Sequence, residues 1–198
     1  MKLIIGLLSF SLVGCFVAIN ENSYRTLDAR SLEHFVDFDL TTVGQTSVDN
    51  QTDLRIYEIS TPEFKKSFEK AEYTWIHLWQ AFCPNDYCQN IAVYEDYLEE
   101  LSENHDINFL MVSNTYDLKH IANAAKNAKF NLPIYVLKDA YYGHKVRPAK
   151  LKALEEFGID ISDKNAIVFD DLLFRNGDLI HYGYKLSGHD VDSVLNAR

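Results

Sequence analysis

Positive charge is what this sequence is short of. Its 19 Lys and Arg residues stand against 29 Asp and Glu, for a formal net charge of −10. No basic stripe is present to neutralise phosphates, so a nucleic-acid partner is not expected; the acidic balance serves solubility. Cysteine is scarce as well: three in 198 residues, with no His at ligand spacing, which argues against a zinc site. Internal repeats and low-complexity segments are absent. What remains is ordinary globular composition, 47% hydrophobic and 24% charged, and a length that suits one domain plus accessories.

The apolar run that stands out is at the N-terminus. Lys2 precedes Leu3-Ile4-Ile5-Gly6-Leu7-Leu8-Ser9-Phe10-Ser11, a short positive region and an apolar region in the form of an export signal. The run ends in Leu12-Val13-Gly14-Cys15, which resembles the lipobox of bacterial lipoproteins, where the cysteine is lipidated and becomes the new N-terminus. An uncleaved anchor is the alternative, since the apolar run to Ile19 just reaches the lower limit of a span. The expected organisation is a signal peptide at 1–14, a lipid on Cys15, a polar tether at 15–34 and a domain at 35–198. Phe16 stands where an Asp would mark inner-membrane retention, which favours the outer membrane, with the domain on the periplasmic side. Assigning Cys15 to the lipid leaves Cys83 and Cys88 as an even pair in a compartment where a disulfide persists.

Along the domain, residues 35–48 alternate about Gly44 and predict a hairpin, and 54–59 predicts a strand. Ser60 or Thr61 caps a helix with Pro62 at its first position and Phe64 and Phe68 on its inner face. The short run Trp75, Ile76, Leu78, Trp79, apolar on both faces, predicts a central strand. A loop with Cys83 and Cys88 follows. The next helix carries Ile91, Tyr94, Leu98 and Leu101 on one stripe, and Asp86 with Gln89 forms a capping-box pattern for its start. Strands are expected at 107–112 and 134–137, and helices over 118–128 and 148–157, the latter ended by Gly158. Segments 166–169 and 179–184 flank Asn176-Gly177, a hairpin signal, and a last helix carries Val191, Val194 and Leu195. Strands alternating with helices predict a mixed α/β sheet covered on both faces.

From Ser60 onward the order is similar to the thioredoxin fold, more closely to its exported redoxin branch (TlpA-like and peroxiredoxin-like proteins). Trp79-Gln80-Ala81-Phe82-Cys83 resembles that branch's Trp-Ala-x-Trp-Cys, with Phe82 replacing the second Trp. Residues 134–158 are similar to its inserted strand and helix, and 35–48 to its leading hairpin. The resemblance implies a thioredoxin-like α/β fold with a central mixed sheet, helices on both faces and an extra strand–helix insertion. Two departures stand out. Four residues, not two, separate Cys83 from Cys88, and the positions aligned with the family's cis-proline, Asp163 to Ala166, hold no proline.

The wider spacing has a geometric consequence. Residues five apart on a regular helix have Cα atoms about 8–9 Å apart, beyond the roughly 7 Å limit of a disulfide. A Cys83–Cys88 bridge therefore needs the helix to start after Cys83. Cys83 then lies farther from the helix N-terminus that lowers a thiol's pKa, and Asp86 disfavours a thiolate. His77 stands where thioredoxins keep a buried carboxylate that moves protons for the second cysteine. It is either such a proton carrier or a packed His with satisfied nitrogens. Three functions stay open. One is a thiol–disulfide oxidoreductase acting on protein thiols and disulfides through Cys83, Cys88 and His77, without a cofactor. Another is a binding or assembly module with a structural disulfide. The third is a copper-handling protein, since Cys83 to Cys88 is similar to the loop of Sco-type chaperones.

Overall fold

One sheet organises the residues that the computed structural model describes, namely 21–45, 47–50, 52–81, 90–163 and 165–197. Its strands are β1 (Phe35–Asp37), β2 (Ile56–Ile59), β3 (Tyr73–Trp79), β4 (Ile107–Ser113), β5 (Ile134–Leu137), β6 (Asp171–Arg175) and β7 (Asp178–Gly183), in the spatial order β1-β2-β5-β4-β3-β6-β7. The first five run parallel; β6 is antiparallel to β3 and to β7. The helices are α1 (Ala29–Leu32), α2 (Thr61–Ser67), α3 (Val93–Ser102), α4 (Leu118–Ala128), α5 (Asp139–Tyr142), α6 (Val146–Glu156) and α7 (Gly188–Asn196).

Every residue of β3, β4 and β5 is buried, as continuous apolar runs require when a parallel sheet is covered on both faces. One face packs on α3, α4 and α7 through Trp75, Trp79, Tyr94, Leu98, Phe109, Ile121, Val191 and Leu195. The other packs on α2 and α6 through Phe64, Ile76, Leu78, Leu110, Ala153, Leu154 and Phe174. The block β4-β3-β6-β7, with a helix between β3 and β4, β6 reversed and a closing helix, is the strand order of the thioredoxin fold. The segment β5 to α6 is the inserted strand and helix, and it separates β2 from β4. The fold class expected from the sequence is the one observed.

Local chemistry accounts for most boundaries. The Ser60 N–H and hydroxyl both donate to Glu63 Oε2, at 2.7 and 2.6 Å, closing the start of α2. Asp117 accepts from the His120 N–H and caps α4. Asn176 and Gly177 both have positive φ, 50° and 87°, in the tight turn between β6 and β7. At Gly188 a Cβ would lie 3.0 Å from the Tyr97 ring, so a glycine lets α7 start against α3.

Three expectations are corrected. Residues 35–48 do not form a hairpin: β1 pairs parallel with β2, and Leu40–Thr42 is a 3-10 turn capped by Asp39. The alternation there reflects Phe38, Leu40 and Val43 packing on the α2/α6 face from irregular backbone. Residues 166–169 are not the first arm of the closing hairpin. Ala166–Val168 is a 3-10 turn, and the arm is β6. Finally, the helix after the cysteine loop does not run unbroken from Asp86. Asn90 Oδ1 accepts the Ala92 N–H at 3.2 Å in a local turn, and regular helix begins at Val93. The Asp86 and Gln89 pattern lies outside the described residues, as do Cys15, Cys83 and Cys88.

The stretch expected as a tether, 15–34, is described from Glu21, and there it is held to the domain. Glu21 forms an antiparallel bridge with Lys145. The Asn22 N–H donates to His144 O at 2.8 Å, and Asn22 O accepts the Tyr116 N–H. The Asn22 Nδ2 donates to Asp139 Oδ1 at 2.9 Å. Tyr24 meets the Tyr116 ring edge-on, centroids 4.8 Å apart, and Leu27 packs on the core.

Candidate functional site

The site is built from β3 outward. Inward-facing residues on a strand alternate, so Trp75, His77 and Trp79 share the α3 face while Ile76 and Leu78 take the other. His77 is therefore carried into the layer beneath α3, opposite Asp171 of β6. Asp171 has no solvent exposure. Its Oδ1 accepts from Trp75 Nε1 at 2.9 Å and from His77 Nδ1 at 2.8 Å, and its Oδ2 accepts the Leu186 N–H at 2.9 Å. A buried carboxylate needs such donors, because burial without them costs several kcal/mol at roughly the scale of a lost charge-assisted hydrogen bond.

The third member is Tyr94 of α3, which stacks obliquely on His77, centroids 4.5 Å apart, and sits over Trp75. Its Oη lies 2.9 Å from His77 Nδ1 and 3.2 Å from Nε2. Burial, reinforced by the Asp171 charge, pushes the Tyr94 phenol far above its ordinary range and keeps it protonated. With the Nδ1 proton assigned to its bond with Asp171, Nε2 is the nitrogen that can accept from the Tyr94 hydroxyl, which lies against both ring nitrogens. The result is a carboxylate–imidazole–phenol chain with the tautomer fixed by Asp171. Such a chain can hold or pass a proton in a site closed to bulk water.

Sequence reasoning singled out His77 and missed Asp171 and Tyr94 as its partners. Tyr94 was read as core, which it also is. The signal for Asp171 was an acidic residue immediately before the apolar run Leu172-Leu173-Phe174, where a strand interior is expected to carry none. Both alternatives for His77 are compatible with the geometry, since the ring is buried and bonded. In the chain, Cys83 and Cys88 stand between the end of β3 and α3, outside the described residues.

At that end, the C-terminal rim of the parallel strands, Trp79 O accepts the Asn114 N–H at 3.0 Å. Asn114 is buried, and its Oδ1 has no hydrogen-bond partner among the described residues. The residues immediately before β6 are Phe169 and Asp170, whose O accepts the Leu78 N–H at 2.7 Å. Neither is a proline. Among the described residues, no group of three or more His, Cys, Asp or Glu side chains is placed to hold a metal ion. None of the helices described is long and apolar enough to cross a membrane.

No family model matches this chain, and neither does any curated protein. Among solved structures, a thioredoxin-like protein from Aeropyrum pernix is similar: 14% identical, covering 65% of this chain and 79% of that one, with a TM-score of 0.41. The fold assignment rests on the strand order described above.

Proposed function

We propose that this chain is a membrane-anchored, periplasm-facing thiol–disulfide oxidoreductase of the exported redoxin type, tethered through a lipid on Cys15. The observation that supports it is the His77–Asp171–Tyr94 chain, buried under the end of β3 from which the chain enters the Cys83–Cys88 segment. Buried, mutually bonded titratable side chains gathered at such a position are a mark of functional sites. In the reaction, the Cys83 thiolate attacks one sulfur of a substrate disulfide and expels the other as a thiolate. The Cys88 thiolate then attacks Cys83 in the mixed disulfide and releases the second substrate thiol. The substrate gains two electrons and two protons, and Cys83 and Cys88 become a disulfide that an external dithiol returns to the reduced state. His77, with its Nδ1 proton held on Asp171, handles the proton of Cys88.

A binding module with a structural Cys83–Cys88 disulfide is the second reading, favoured by the fact that His77 is already fully bonded. One titration separates the two. The lipid-free domain is equilibrated in a glutathione series, and insulin reduction is assayed with Cys83→Ser as control. The oxidoreductase gives a potential within the glutathione range and loses activity in Cys83→Ser. A pair that stays oxidised below about −300 mV is structural, and activity that survives Cys83→Ser would overturn the catalytic assignment.

A further inference from the structure

The first described residues are not a free leash. Asn22 spends its backbone N–H, its backbone carbonyl and its side chain on His144, Tyr116, Asp139 and Gly143, and it is almost completely buried. All four partners lie just past the C-terminal ends of β4 and β5. The same rim carries the end of β3: Asn114 donates to Trp79, and two residues later Tyr116 donates to Asn22. The described chain therefore begins at the rim that carries the end of β3. From Glu21 back to Cys15 the backbone reaches about 20 Å when fully extended. The opposite end of the sheet, at the Asn176-Gly177 turn, is farther away by the length of the strands, about 20–25 Å for the seven residues of β3.

From this we infer that the Asn22 clamp turns the C-terminal rim toward the bilayer, so that the partners are membrane-embedded or membrane-anchored proteins presenting cysteines close to the lipid surface. The inference rests on the reading of Cys15 as the lipid-bearing residue and names the partner class for the proposed oxidoreductase. The short connection limits how far the rim can swing away, and the built contacts at Asn22 prevent it from lengthening.

The test uses the full chain, lipidated and reconstituted in vesicles that carry nitroxide-labelled headgroups. A fluorophore is placed at Arg147→Cys on the rim or at Asn176→Cys on the far turn, with Cys83→Ser and Cys88→Ser so that no other thiol outside the lipid site reacts. Quenching is expected to be severalfold stronger at 147 than at 176. Asn22→Ala, or a ten-residue Gly-Ser insertion after Asn20 that leaves the clamp intact, should reduce that difference. Equal quenching at both sites in the parent chain would overturn the orientation. Absence of the chain from the vesicles would overturn the anchor and the inference with it. In a second arm, the chain with native cysteines meets a disulfide probe held on lipid by a short spacer or by one longer than about 40 Å. Reduction of the short-spaced probe supports the partner class, and reduction of the long-spaced probe alone overturns it. Failure on both probes removes the oxidoreductase reading and its partner class while the quenching result stands for the orientation.

Discussion

Asp170 and Asp171 are neighbours in the chain and belong to different worlds. Asp170 turns toward the α2/α6 face and meets Lys150 at 2.5 Å, with about a quarter of its side chain (23%) still in contact with solvent. Asp171 turns toward the α3 face, fully enclosed, with the indole of Trp75, the imidazole of His77 and the Leu186 N–H on its two oxygens. The rest of each face follows suit. On the α2/α6 side, Phe174 stacks on Phe68 at 4.6 Å and meets Phe157 at 5.4 Å, and the polar contacts are hydroxyl pairs such as Thr61 with Tyr142 and Thr42 with Tyr135. On the α3 side, aromatic packing of Tyr94 on Phe109 at 5.1 Å surrounds a polar chain that stability alone does not require. A hydrophobic replacement of comparable size often serves as well as a buried ionic group. The comparison teaches that the buried imidazole and its carboxylate lie on one face, while the other is chiefly ballast.

The sharpest perturbation of the ballast is Phe174→Ala, which removes a fully packed ring and should cost about 3–5 kcal/mol in urea unfolding. Next, Asp171→Ala leaves three donors buried without an acceptor and should cost roughly 3 kcal/mol. Asp170→Ala leaves the nearly enclosed Lys150 ammonium without its counter-ion, but in a pair that still touches solvent on the Asp170 side, and should cost about 1–2 kcal/mol. Equal losses at 170 and 171 would break the contrast between the faces. Tyr94→Phe is smaller again, about 1 kcal/mol. Its informative readout is the nitrogen NMR spectrum of His77: the Nδ1-protonated tautomer fixed by Asp171 should persist in the variant, while the Nε2 resonance shifts on loss of the Tyr94 donor. An unchanged spectrum would show that Tyr94 packs on His77 without donating to it.

The least disruptive probe is alkali. Burial raises the phenols of Tyr94, Tyr116, Tyr135 and Tyr142 above their ordinary value of 10.0, and desolvation is the leading cause in each case. A raised pKa in the folded state means that the stabilising contribution is complete below pH 10 and declines as the pH climbs beyond it toward the folded values. Phenolate absorbance should therefore show the exposed tyrosines, such as Tyr182 and Tyr184, ionising first. The buried four should follow only together with loss of structure. Simple ionisation of all twelve tyrosines near pH 10 with the fold intact would contradict the enclosed geometry.

The parallel core was legible because its signals are repeated and local. The apolar run at 73–79, the stripe of Ile121 and Ala125, and the Asn-Gly turn each carry their meaning within a few residues. The polar site was legible only in part. His77 stands out as a basic ring in an apolar strand, but Asp170-Asp171 reads as an ordinary acidic turn until the register of β6 on β3 puts the second of them opposite His77. That pairing joins residues far apart in sequence, and nothing local encodes it. The docking of Asn22 was hidden for a different reason: two of its five hydrogen bonds are made by the backbone, which any residue could supply. The hairpin expected at 35–48 failed because alternating burial arises from irregular chain draped over a sheet as readily as from a strand.

The insertion of β5 between β2 and β4 has a consequence for how the protein reaches this structure. β1 and β2 join the sheet only through β5, a strand made much later in synthesis. The first segments of the chain must therefore wait, with a strand edge open, until the later βα unit arrives. Closing so long a loop is slow, and a waiting edge invites mispairing. Once assembled, β1 and β2 hang on one four-residue ladder, so their amides should exchange with solvent through a partial opening that leaves the β4-β3-β6 core protected. The oldest part of the nascent chain is thus the last to be secured and the first to let go.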